Sequence, residues 1–265
     1  MNITLLKKEL KSNWLLLVIF LAVLSMYGSM ITMMFDPKMG DGLRAMADSM
    51  PGMFAAFGMT NVGTTLLDFV SSYLYGILYV AFPGVFIIIL SNRLAARYVD
   101  TGSMAYLLAA PVKRWKIMLT QALFLLLCLV IMVGFATGLI LVFSEALFPG
   151  EMDIKAFLRL NAGLLGLLVF FGGAGICASC FCNESKNASA VSTTVVVYSI
   201  LLQMISRVGD KFEHLKYATP LTLFDTDGLG AGDHEAWIMC AVLYAAGIIL
   251  MGVGIVRFSK RDLPL

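Results

Sequence analysis

Six stretches of this chain carry no Asp, Glu, Lys or Arg: residues 14–35, 69–90, 117–143, 161–181, 188–206 and 236–256. Each comes near the roughly 20 apolar residues that a helix needs to cross the hydrocarbon core of a bilayer. Inside lipid every backbone polar group must be satisfied by the segment itself, which among single unbroken runs of this length only a helix achieves. The pattern therefore predicts an all-α membrane protein, one domain over 1–265 with six transmembrane helices. Two polar stretches interrupt it, a basic segment at 91–116 and a long outer segment at 207–235.

Composition agrees with that class. Apolar residues make up 60% of 265 positions and charged residues 14%, against about 45–50% and about 25% in soluble domains. The net charge is only +2 with no domain-sized basic block, so nucleic acid is not an expected partner. Lys7, Lys8 and Lys11 before the first run suggest a signal peptide, but the run is too long and lacks an Ala-x-Ala cleavage pattern, so it is expected to stay as the first span. With the N-terminus inside, the inner segments hold 12 Lys and Arg and the outer segments 7. By the positive-inside rule both ends are expected in the cytoplasm.

The segment 91–116 is the one structured surface that this topology offers to the cytoplasm. Asp100, Thr101 and Ser103 are N-cap candidates, and Pro111 biases Ala110 out of helical geometry, which predicts a short helix from near 102 to near 110. Pro111 then suits the first turn of the next helix. Met104, Leu107 and Leu108 share one face of the short helix by their spacing. That face requires a partner, either a protein groove or the lipid headgroups.

The order of residues here, Arg97-x-x-Asp100-x-Gly102-Ser103-x-x-Tyr106-Leu107-Leu108-x-x-Pro111-Val112-x-Arg114, resembles the first cytoplasmic loop of ABC-2 type transporter permeases. Asp100 and Ser103 stand where Glu and Thr are more usual. His214 to Asp225 resembles that family's segment before the last span, and Phe258 to Leu263 its C-terminal end, so the resemblance runs along the whole chain. It implies an ABC-2 (type V exporter-like) transmembrane domain in a bacterial cell membrane, the permease subunit of an ATP-driven exporter. It also implies that the short helix between spans 2 and 3 couples to a cytoplasmic ABC ATPase subunit through Asp100, Gly102, Ser103, Met104, Tyr106, Leu107, Leu108, Pro111 and Arg114. A second permease chain, identical or similar, would complete the pathway. ATP and Mg would sit on the ATPase subunit, leaving this chain without a cofactor, and the outer segment 207–235 would contribute short re-entrant helices where the alternative is a solvated loop.

The remaining motifs read as packing. Met46, Met50 and Met53 have the spacing of an apolar helical face, favoured over a Cu(I) site, with Pro51 breaking or starting that helix. Pro83-Gly84 is expected to kink the second span. Gly134-x-x-x-Gly138 in the third span and Gly163, Gly166, Gly172, Gly173 and Gly175 in the fourth allow close helix contacts, within one bundle or across a dimer. Cys177, Cys180 and Cys182, with Cys128 and Cys240, are read as reduced packing residues, since His214 and His234 lie on the other side of the membrane. No G-x-x-x-x-G-K-[ST] loop occurs, so ATP is not bound in the P-loop manner. Within the six runs the strongest polar groups are Gln121, Asn161 and Gln203, which weakens an ion-coupled carrier as the alternative. A non-transporting scaffold that anchors a cytoplasmic partner is the other alternative.

Overall fold

A computed structural model describes residues 2–36, 49–56, 65–104, 113–207 and 210–261; among them there is no strand. Six helices are long and apolar enough to cross a membrane: α1 Ile3–Met34, α3 Leu66–Asp100, α4 Arg114–Leu147, α5 Ile154–Phe181, α6 Ser185–Ser206 and α8 His234–Lys260. Two short helices join them, α2 Pro51–Ala56 and α7 Thr226–Ala231. Pro51 starts α2, and Met50 and Met53 are exposed. Met46, the third residue of that expected face, lies outside the described residues.

Local chemistry sets the helix starts. The Asn2 side chain accepts from the backbone N–H groups of Thr4 and Leu5, and Asp153 does the same for Lys155 and Ala156 at the head of α5. Each satisfies donors that a first turn leaves open. In α3 the irregularity precedes the Pro83-Gly84 pair. Residues Ser71–Leu78 are π-wound, and the Tyr79 N–H donates to the Leu74 carbonyl, while an α-helical stretch runs through Pro83 from Tyr79 to Ser91. A second π turn covers Asn92–Ala96.

The fourth span lies at the centre, with 72% of its apolar window buried against 22% for the fifth. Its glycines explain how. A Cβ on Gly173 would run into the backbone carbonyl of Gly247 in α8, and one on Gly247 would come within 2.6 Å of the Val169 carbonyl. Backbone thus lies against backbone where α5 meets α8. Gly166 admits the Tyr244 ring, Gly175 the Ser91 hydroxyl, and Gly163 the side chains of Leu229 and Phe224. These contacts of the fourth span are all within one bundle. Gly134 and Gly138, by contrast, face open space on α4.

Both described ends of the chain lie at one end of the bundle. There the Asn2 N–H donates to Thr120 Oγ1 at 2.9 Å, and Arg261 reaches the last carbonyls of α5. The opposite end is closed by Phe35 stacked edge-on to Phe69 and Phe148, with centroids 5.6 and 5.2 Å apart. The segment after α6 packs onto that end in two 3-10 turns, Asp210–Ala218 and Pro220–Leu223, followed by α7. Leu221, Phe224 and Leu229 are buried in the core, Thr219 Oγ1 donates to the Ser199 carbonyl at 3.0 Å, and Arg159 donates to the Gly230 carbonyl. A solvated loop would leave these side chains exposed, so this segment is a packed cover.

Candidate coupling surface

The second span ends in three steps. At the second π turn Asn92 bridges to the head of α6: its Oδ1 accepts from Ser185 Oγ at 2.8 Å and its Nδ2 donates to Ser189 Oγ. One turn later Tyr98 Oη donates to Glu9 Oε1 at 2.8 Å, and Asn13 Nδ2 donates to Glu9 Oε2 at 3.2 Å. Glu9 is buried, 2% exposed. A carboxylate held inside an apolar bundle needs such donors, because burying it unpaired costs far more than the packing around it returns. The third step is Gly102, at φ +68. Thr101 N–H donates to the Arg97 carbonyl and Gly102 N–H to the Val99 carbonyl, so the helix stops on a left-handed glycine.

This geometry revises several sequence expectations. Asp100 is the last residue of α3, not a cap on the next helix. The residues from Arg97 continue the preceding helix until Gly102 supplies the stop. Ser103 Oγ shares a hydrogen bond with Thr101 Oγ1 at 2.5 Å. Met104 begins the next turn, but its side chain is fully buried in the chain's own core and so cannot belong to an exposed apolar face. Tyr106, Leu107, Leu108 and Pro111 lie outside the described residues. On the far side of the segment α4 begins at Arg114, whose Nη1 donates to the Arg261 carbonyl at 3.0 Å. Arg261 Nη1 in turn donates to the carbonyls of Cys180 and Cys182, at 2.8 and 3.2 Å. The carbonyls that a helix end leaves open are thereby capped by a cation, which also suits the helix dipole.

The described residues that flank the segment therefore form two anchored posts. One is the end of α3, held to α1 and α6, and the other is the start of α4, held to α8 and through it to α5. Glu9, Asn13, Tyr98, Asn92 and Arg261 do this work, and sequence reading named none of them as site residues. Glu9 and Asn13 share a helix face by their spacing of four, which is the one signal in the sequence, but their partner Tyr98 lies far along the chain and no spacing points to it.

At the opposite end a small polar cavity opens between the first π turn, the end of α6 and the packed cover. Tyr75, Gln203, Arg207, Phe224 and Asp227 are among its lining residues. Burial pulls the Arg207 guanidinium below its ordinary pKa, while Asp227 and Asp225 pull it back. Gln203 Oε1 accepts from Thr222 Oγ1 at 3.2 Å. Each end of the bundle is thus polar and the middle apolar. The five cysteines are free thiols, and no group of three or more metal-ligating side chains occurs among the described residues.

Comparison with curated proteins finds no match. Comparison with protein families does: the model of the ABC-2 family transporter proteins matches residues 4–263. Six membrane-crossing helices, no strand among the described residues, and a match along nearly the whole chain place this protein in the ABC-2 family of transporter proteins.

Proposed function

We propose that the chain is the permease subunit of an ATP-driven exporter, and that the segment between α3 and α4 receives the stroke of a separate cytoplasmic ATPase subunit. The observation that carries this reading is the pair of posts. A loop with no mechanical role has no need of the buried Glu9–Tyr98 contact on one side and the Arg114–Arg261 contact on the other. The apolar pair Leu107 and Leu108, with Met104 turned inward, is the surface offered to the ATPase. Both termini would then lie in the cytoplasm, as the distribution of Lys and Arg favours.

A second permease chain fits the fifth span. α6 is little buried within the chain, and Asn187, Thr193, Thr194 and Tyr198 are exposed along it. Hydroxyl and amide groups facing lipid are unfavourable, whereas a partner chain or an aqueous pathway satisfies them.

Leu107→Asp tests the coupling. A large apolar side chain buried in a partner groove contributes about 1.5–3 kcal/mol, and a buried unpaired carboxylate costs more than that gain. At equal membrane expression the variant is expected to lose the co-purifying P-loop ATPase or to uncouple hydrolysis from transport. Equal ATPase recovery with unchanged transport sinks the proposal.

A further inference from the structure

We infer that the cavity between the first turns of α1 and the last turns of α3 binds a phosphate group, and that its occupant is the headgroup of an anionic phospholipid. The cavity measures about 260 Å³, and Arg93, Arg97, Ser12, Thr101 and Ser103 line it together with the Glu9–Asn13–Tyr98 cluster. Arg93 and Arg97 are four residues apart, which puts them on one helix face. Neither has an ion pair among the described residues. Both Glu9 oxygens are occupied by Tyr98 and Asn13, so the carboxylate is turned to its own donors and the guanidiniums are left to face a ligand. Planar guanidinium forks match the oxygens of a phosphate, and Ser12 supplies a further hydroxyl, while those of Thr101 and Ser103 donate to the Arg97 carbonyl and to one another.

The position selects the source of that phosphate. The cavity lies where two helices long enough to cross a membrane reach the bundle end that holds both described chain ends, beyond the charge-free runs that fill the hydrocarbon core. Lys8 lies over the Tyr98 ring of the cavity wall, Lys7 and Lys11 are exposed on the outer face of the same turns of α1, and clustered cations next to a membrane helix draw anionic lipid to the surface. The cavity also borders Thr101 and Ser103, so a bound headgroup would brace the post from which the coupling segment departs. None of this depends on the ATPase reading.

Native mass spectrometry of the full chain in detergent tests it, with phosphatidylglycerol, phosphatidylcholine or inorganic phosphate added. The wild type is expected to retain phosphatidylglycerol in preference to phosphatidylcholine, and Arg93→Gln/Arg97→Gln to lose about tenfold of that preference, the loss expected for charge-assisted hydrogen bonds. Arg97 is exposed, so Arg97→Gln alone leaves packing intact and should show part of the loss. Arg257→Gln/Lys260→Gln removes the same charge from the same bundle end and should keep the preference. Displacement of the lipid by millimolar phosphate would keep the phosphate site and overturn its lipid source. No preference in the wild type, or an equal loss in the Arg257/Lys260 variant, overturns the site.

Discussion

Gly173 of α5 and Gly247 of α8 meet backbone to backbone, with no room for a Cβ on either. Gly173→Val should therefore force the two helices apart and destabilise the bundle by more than the about 1–3 kcal/mol of ordinary overpacking, because a carbonyl cannot turn aside as a side chain can. Gly134→Val and Gly138→Val enter open space and should leave the unfolding temperature in detergent unchanged. Thermal unfolding of the three purified variants checks the contrast.

Met104 and Leu107 should separate cleanly. Met104 is buried within the chain, so Met104→Ala should cost about 2–5 kcal/mol of stability by the cavity that it leaves. Leu107→Asp should fold normally and fail only in the presence of the ATPase. Size-exclusion profiles before and after heating, compared with ATPase recovery, show which residue belongs to which surface.

Tyr98→Phe removes the hydroxyl donor from the buried Glu9 carboxylate and leaves that of Asn13. Loss of a hydrogen bond to a charged group should cost about 1.5–3 kcal/mol. Glu9→Gln, which removes the charge and keeps the shape, should recover much of that loss in the Tyr98→Phe background. A double-mutant cycle on unfolding free energy measures the coupling, and additive effects would mean that the contact is not formed.

Arg261→Ala uncaps the end of α5 and leaves in place the backbone carbonyl that accepts from Arg114. We expect a drop in unfolding temperature together with faster maleimide labelling of Cys182, which is only partly buried. Arg261→Lys restores the charge but not the fork, so partial rescue is the expected result. Unchanged labelling would mean that the α5 end stays closed without Arg261.

Topology is checked with reporter fusions. Activity after Asp153 and Asp225 is expected only outside, and after Lys186 only inside. A cytoplasmic result at Asp225 would remove a span from the reading.

The six helices were legible because a run without charge is a direct physical requirement of lipid, and each run falls mostly within one of the long helices found. The limits of α1 and α3 were not, since Glu9 and Tyr98 prolong the bundle beyond the charge-free runs by hydrogen bonding to one another. The fourth-span glycines announced close contact, and only the structure assigned it to the interior of one chain. Asp100 misled for a local reason: the same residue types cap a helix start and tolerate a helix end, and it is the left-handed Gly102 that decides between them. The Asn92 bridge and the Arg114–Arg261–Cys180 chain join residues far apart in sequence, and no periodicity encodes such meetings.

The two posts give the bundle a division of labour under load. On the coupling proposed above, a push on the segment would reach α1 and α6 through Tyr98 and Asn92, and α8 and α5 through Arg114 and Arg261. The close seam between α5 and α8 at Gly173 and Gly247 makes that pair stiff, whereas α6 has the least buried apolar stretch of the six long helices. Torque on the segment would therefore be spent in swinging α6, the helix with the exposed hydroxyls, against a rigid counterweight.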